Sequence, residues 1–183
     1  MDRLGDEFTC IVTEVAALYY GRSGWLEQYR HEDGMQRLCN TQADLEGRLH
    51  GLRQRTFDDM QISCIIAAFL CVYAFWTDIW SSALIPRVLS AQLLHHVRRW
   101  KRSSYESQDG IFTWVWYVGK AFAVDAQVRN GLDQLHRSRE AVSPDSTSGS
   151  MPELRLLNTF IWSECFYNAQ TGWFWQSLDS AAW

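Results

Sequence analysis

The sequence predicts an all-α protein, and three observations carry that expectation. Only three prolines occur in 183 residues, at Pro86, Pro144 and Pro152. Alternating β-branched runs are scarce, and apolar residues return at three- and four-residue steps, as they do along one face of a helix. The length is close to the ~150 residues of a usual domain. With 47% hydrophobic and 21% charged residues, the chain can build a sizeable core and is no disordered polymer. The expectation is a single helical domain over residues 1–183, built around a buried central helix, with an internal flexible linker at about 138–150.

The elements follow in order. Asp6 is an N-cap for a first helix reaching Tyr20 and closed by Gly21. Residues 25–55 read as two helices broken near Gly34 or at Asn40-Thr41, with Glu27, Arg30, Glu32, Arg37, Asp44, Glu46 and Arg48 as a solvated face. Thr56, Phe57, Asp58 and Asp59 resemble a capping box, with carboxylates at the positive end of the helix dipole. They launch the central helix, where Ser63 alone interrupts an apolar run over 62–76. That run is 15 residues long. A membrane-spanning helix needs ~20. Asp58, Asp59 and Asp78 flank the run, so it reads as a core helix and not as a membrane span.

Pro86 suits the first turn of the next helix, which ends in His95-His96-Val97-Arg98-Arg99-Trp100-Lys101-Arg102. A polar stretch over 103–110 separates it from a long helix that starts near Ile111. Trp114, Val118, Ala121, Val128, Leu132 and Leu135 mark one face of that helix. Asp125 fills the skipped place on the stripe, with Arg129 four residues on as its ion-pair partner; Asn130-Gly131 is a candidate break. Beyond the Ser-, Pro- and Gly-rich linker, Ser150 to Glu153 form a capping box. The final helix presents Leu154, Leu157, Ile161, Cys165 and Ala169.

Net charge is −4, so the chain as a whole is not a nucleic-acid binder by charge. Five widely spaced cysteines, Cys10, Cys39, Cys64, Cys71 and Cys165, form no CxxC pair and no even disulfide framework. There is no Asn-x-Ser/Thr sequon, and the first residues lack the order of a signal peptide. These features give the expectation of an intracellular, reduced protein.

Motifs for chemistry are sparse. Adjacent His95 and His96 diverge by ~100° on a helix and cannot share one ion. HExxH, HxxxH and CxxC patterns are absent, so no metal site and no cofactor is expected. Phosphate-loop, dinucleotide and GxSxG signatures are absent too. Cys64 and Cys71 read as packed core thiols. Asp58-Asp59 before an apolar helix is similar to the magnesium-holding carboxylates of all-α terpene cyclases, but Ile62 stands where a further Asp belongs.

The strongest charge feature is the run Arg98, Arg99, Lys101 and Arg102. Over residues 79–139 there are nine basic and four acidic residues, whereas 1–59 and 140–183 are each −4. Such a run is a candidate phosphate-contact patch or nuclear address. Cations closing a helix and offsetting its dipole are the structural alternative, and the favoured one.

Across Phe57 to Gln127 the features come in a suggestive order. An apolar helix from Ile65 to Trp76 is followed by a short break at 77–82, then by a helix ending Leu93-Leu94-His95-His96. A polar loop leads to a helix with Trp114, Trp116 and a later Asp125. This resembles the middle homology region of fungal binuclear-zinc-cluster transcription factors, with Leu156 to Trp162 in a further helix of the same domain. The six-cysteine zinc cluster of that family is absent from this chain, and Trp80 is the nearest counterpart of the Trp expected after the first break.

The resemblance implies a transcription-regulatory helical domain, nuclear, and a fragment or truncated regulator. It would work with a protein partner or as a homodimer and would not read DNA sequence by itself. A general helical interaction module and a small all-α enzyme on a terpenoid-like apolar substrate are the alternatives, with a non-enzymatic role favoured and no catalytic residue assigned.

Overall fold

A computed structural model describes residues 5–28, 32–56, 58–74, 84–100 and 107–140. These form six helices: α1 (Gly5–Gln28), α2 (Glu32–Gln54), α3 (Asp59–Ala74), α4 (Leu84–Arg99), α5 (Ser107–Phe122) and α6 (Ala126–Glu140). No strand occurs among the described residues, and the fold class is all-α.

Helix α3 is the centre, and it packs on α1, α2, α4 and α5. Every residue from Ser63 to Val72 is buried, which a helix apolar on all sides requires. The Ser63 hydroxyl donates to the Asp59 carbonyl at 2.7 Å, so the one polar residue in the run is satisfied by its own helix. Phe8, Ile11 and Val15 of α1, Leu45 and Leu49 of α2, Leu93 and Val97 of α4, Trp114 of α5 and Leu132 of α6 close the same core. Phe75, Trp76, Asp78 and Trp80 lie outside the described residues.

The helix ends differ from expectation in several places. Helix α1 continues through Gly21 to Gln28. A helical glycine costs only about 1 kcal/mol, and the Arg, Leu, Glu and Gln that follow favour helix. Helix α2 is unbroken at Gly34 and at Asn40-Thr41. Gln36 donates to Asn40 Oδ1 at 3.1 Å and Thr41 Oγ1 donates to the Arg37 carbonyl at 3.0 Å, so both polar residues bond within the helix instead of ending it. On its flank the Arg48 guanidinium donates to Glu14 Oε2 at 2.8 Å, which joins α2 to α1 and holds the Glu14 carboxyl below its ordinary range.

The single long helix expected from Ile111 is two helices. Helix α5 begins earlier, at Ser107, and ends at Phe122; α6 starts at Ala126. Asp125 divides them. Its carboxylate accepts the Gln127 N–H at 2.7 Å and its carbonyl accepts the Arg129 N–H at 3.1 Å, the pattern of an N-cap. The Arg129 guanidinium donates to the Ala123 carbonyl at 3.0 Å, beyond the end of α5.

Nor does Gly131 break α6. A Cβ there would lie 2.8 Å from Leu94 Cδ2 and 3.0 Å from an Arg98 nitrogen, so the missing side chain is what lets α4 approach. Gly119 does the same between α5 and α4, where a Cβ would meet Leu93 Cδ2 at 2.6 Å. The expected linker starts later than residue 138, because α6 includes Ser138 to Glu140. The rest of it and the final helix lie outside the described residues.

Candidate functional site

The basic run closes α4, and the fold sorts its members. His96 turns toward the start of α3, where its Nδ1 lies 2.8 Å from Asp59 Oδ1. Arg99 Nε lies 3.3 Å from the other oxygen, Asp59 Oδ2. One carboxylate at the positive end of α3 thus holds two groups from the final turn of α4, where cations offset the helix dipole. Arg98 is exposed and points along the α6 side, beside Gly131. Lys101 and Arg102 lie outside the described residues. Of the four cations grouped by sequence, one is clasped and one is outward.

Packing fixes this end of the helix. Val97 and Trp100 are buried, and the Trp100 N–H donates to the His96 carbonyl at 2.9 Å. Trp100 meets Phe112 edge-on at 5.5 Å between ring centres. Phe112 and Trp116 both stack on His136 of α6, Trp116 at 3.9 Å.

Both carboxylates of the terpene-cyclase-like pair have protein partners. Asp58 Oδ1 accepts the Met60 N–H at 2.8 Å as a cap, and Asp59 is held by His96 and Arg99. Among the described residues no group of three or more His, Cys, Asp or Glu side chains is placed to hold a metal ion. His96 and Asp59 have the geometry of an oriented imidazole, yet no nucleophile among the described residues touches His96. Cys64 and Cys71 are fully inside α3, and desolvation pushes both thiols far up, which makes them unreactive.

One ion pair escapes a reading of local spacing. Lys120, buried in the otherwise apolar end of α5, places its Nζ 2.7 Å from Asp133 Oδ1 of α6 and 5.3 Å from the centre of the Trp116 ring. A single Lys within the apolar stretch from Ile111 to Val124 is the signal that marks it in the sequence.

The outer face of α4 is the other distinctive surface. Its first turns expose Leu84 (72%), Ile85 (47%) and Val88 (43%), and its last turns expose His95, Arg98 and Arg99. No helix among the described residues is long and apolar enough to cross a membrane. Comparison of the chain with protein-family models, with curated proteins and with solved structures finds no match.

Proposed function

We propose that this chain is a transcription-regulatory helical domain organised like the middle homology region of fungal zinc-cluster transcription factors. It acts in the nucleus through a protein partner and does not read DNA sequence itself. The packing of α3, α4 and α5 carries the reading. These three helices bear the resemblance, and each packs on the other two, so residues 58–122 supply most of the shared core.

The charge arrangement supports the same reading. Asp59 engages Arg99, and Arg98 is exposed at the described end of α4 beside Gly131 of α6. A contact of that kind gives salt-sensitive affinity without base information, because phosphates are common to every sequence.

Two assays test the proposal. The full chain tethered to a heterologous DNA-binding domain should change reporter transcription. The same chain, challenged with a randomised duplex library at about 150 mM salt, should enrich no sequence. A silent reporter would overturn the regulatory role and transfer weight to an interaction module or a small enzyme. Enrichment of one DNA sequence would overturn the claim that this chain does not read DNA sequence.

A further inference from the structure

Helix α4 divides cleanly into two faces. Pro86, Leu89, Ser90, Leu93, Leu94 and Val97 are buried. Leu84, Val88, Ala91, His95 and Arg98 are exposed, and their steps of four, three, four and three residues draw one line along the outside. Ile85 and Arg99 flank that line on one side and Arg87 on the other. From Leu84 to Arg98 the line is about 21 Å long at 1.5 Å per residue, close to four helical turns.

The line is not uniform. Its first half is aliphatic and its second half is polar, with His95 and the guanidinium of Arg98. Residues 84–100 contain no Asp or Glu, and Asp59 is engaged by His96 and Arg99. Leu84, Ile85 and Val88 are neighbouring large aliphatic side chains left exposed on one helix.

We propose that the outer face of α4 docks an acidic amphipathic helix of a partner protein. Apolar residues of that helix lie on Leu84, Ile85 and Val88, and its carboxylates lie on His95 and Arg98. The inference rests on the reading of this chain as a domain that works through a partner, and it names that partner's chemistry. Charge complementarity selects the acidic half, since carboxylates set against Arg98 and Arg99 are steered in and held in register, and His95 offers a hydrogen-bonding imidazole beside them. The lengthwise division selects a helix and disfavours a membrane. A helix lying on a bilayer carries its apolar stripe along its whole length, whereas here the large aliphatic side chains end at Val88. A second copy of α4 would bring cations against aliphatic side chains or against other cations.

The probe is a fluorescently labelled synthetic helix with Leu in its first two turns and Glu in its last two, titrated with the full chain. The wild-type chain should bind, more weakly as salt rises. His95→Glu with Arg98→Glu should weaken binding ~10-fold or more, and a peptide with Lys in place of Glu should recover it on that variant. Leu84→Ser with Val88→Ser should weaken both pairings ~10-fold, with unchanged far-ultraviolet circular dichroism because these positions are exposed.

Absence of binding, or binding indifferent to the substitutions, would overturn the proposal. So would self-association through this face, or tighter binding to phosphatidylserine vesicles than to the peptide. A responsive tethered reporter with no peptide binding would discard the surface and keep the regulatory reading. Peptide binding with a silent reporter would do the reverse.

Discussion

Asp59 Oδ1 and His96 Nδ1 share a hydrogen bond of 2.8 Å across 37 residues of chain. The pair ties the first turn of the buried helix to the last turn of α4, with both side chains largely shielded from solvent.

Asp59→Ala should therefore destabilise the chain by about 1–3 kcal/mol, the range for losing a partly buried charge-assisted bond. A double-mutant cycle with His96→Ala should return a coupling of about 0.5–3 kcal/mol in urea unfolding. Strict additivity would refute the clasp.

Leu70, fully buried at the middle of α3, gives the test of the core. Leu70→Ala should cost about 2–5 kcal/mol, from lost burial plus the cavity left behind. Chemical denaturation with an unchanged slope is the measurement, and a loss below about 0.5 kcal/mol would show that the position is not core.

Glycines in two helices should respond in opposite directions. At Gly47 and Gly51 of α2 a Cβ would meet nothing within 4 Å. Alanine at either should stabilise by about 0.5–1 kcal/mol through reduced freedom of the unfolded chain. Gly119→Ala should destabilise, because Leu93, itself fully buried, has no room to move away. Shifts of one sign at all three sites would contradict the packing of α4 against α5.

Alkylation of the native chain should label Cys10 and Cys39, which are exposed, and spare Cys64 and Cys71. Burial raises both core thiols above their ordinary value of 9.0. A raised value means that folding favours the protonated form. The stability this carries is complete below pH 9.0 and drains away as pH climbs past it. Cys64→Ala should flatten the alkaline decline of stability, measured against wild type between pH 8 and about 10.5; an unchanged slope would place the titration elsewhere.

The centre of the molecule was readable from the chain alone because α3 is apolar on every side, and no other environment suits such a segment. Helix ends were less readable. Gly21, Gly34 and Asn40-Thr41 permit a break without compelling one, and the helices run through all three. Asp125 and Arg129 have the spacing of an ion pair, but the same Asp serves better as a cap, and local spacing cannot rank the two uses. The cationic run was legible as a group. Its division was not, since the carboxylate that engages Arg99 comes from Asp59, forty positions earlier in the chain. The partnership of Lys120 with Asp133 likewise depends on the angle between α5 and α6.

That angle has a consequence for assembly. The apolar face running from Trp114 through Leu135 suits a continuous rod, which over 107–140 would be about 50 Å long. The Asp125 cap on α6 and the Arg129 guanidinium on the Ala123 carbonyl are among the interactions that hold the chain bent instead. Removing both, as Asp125→Ala with Arg129→Ala, should let the elbow straighten and carry α6 out of its own core. The vacated place beside Gly119 is then filled by α6 of a second chain, giving an exchanged dimer that forms more readily at high concentration. Light scattering on the concentrated variant, with the wild type beside it, reads the outcome directly: twice the mass if the elbow is the restraint, and an unchanged mass if the bend is held by the rest of the core.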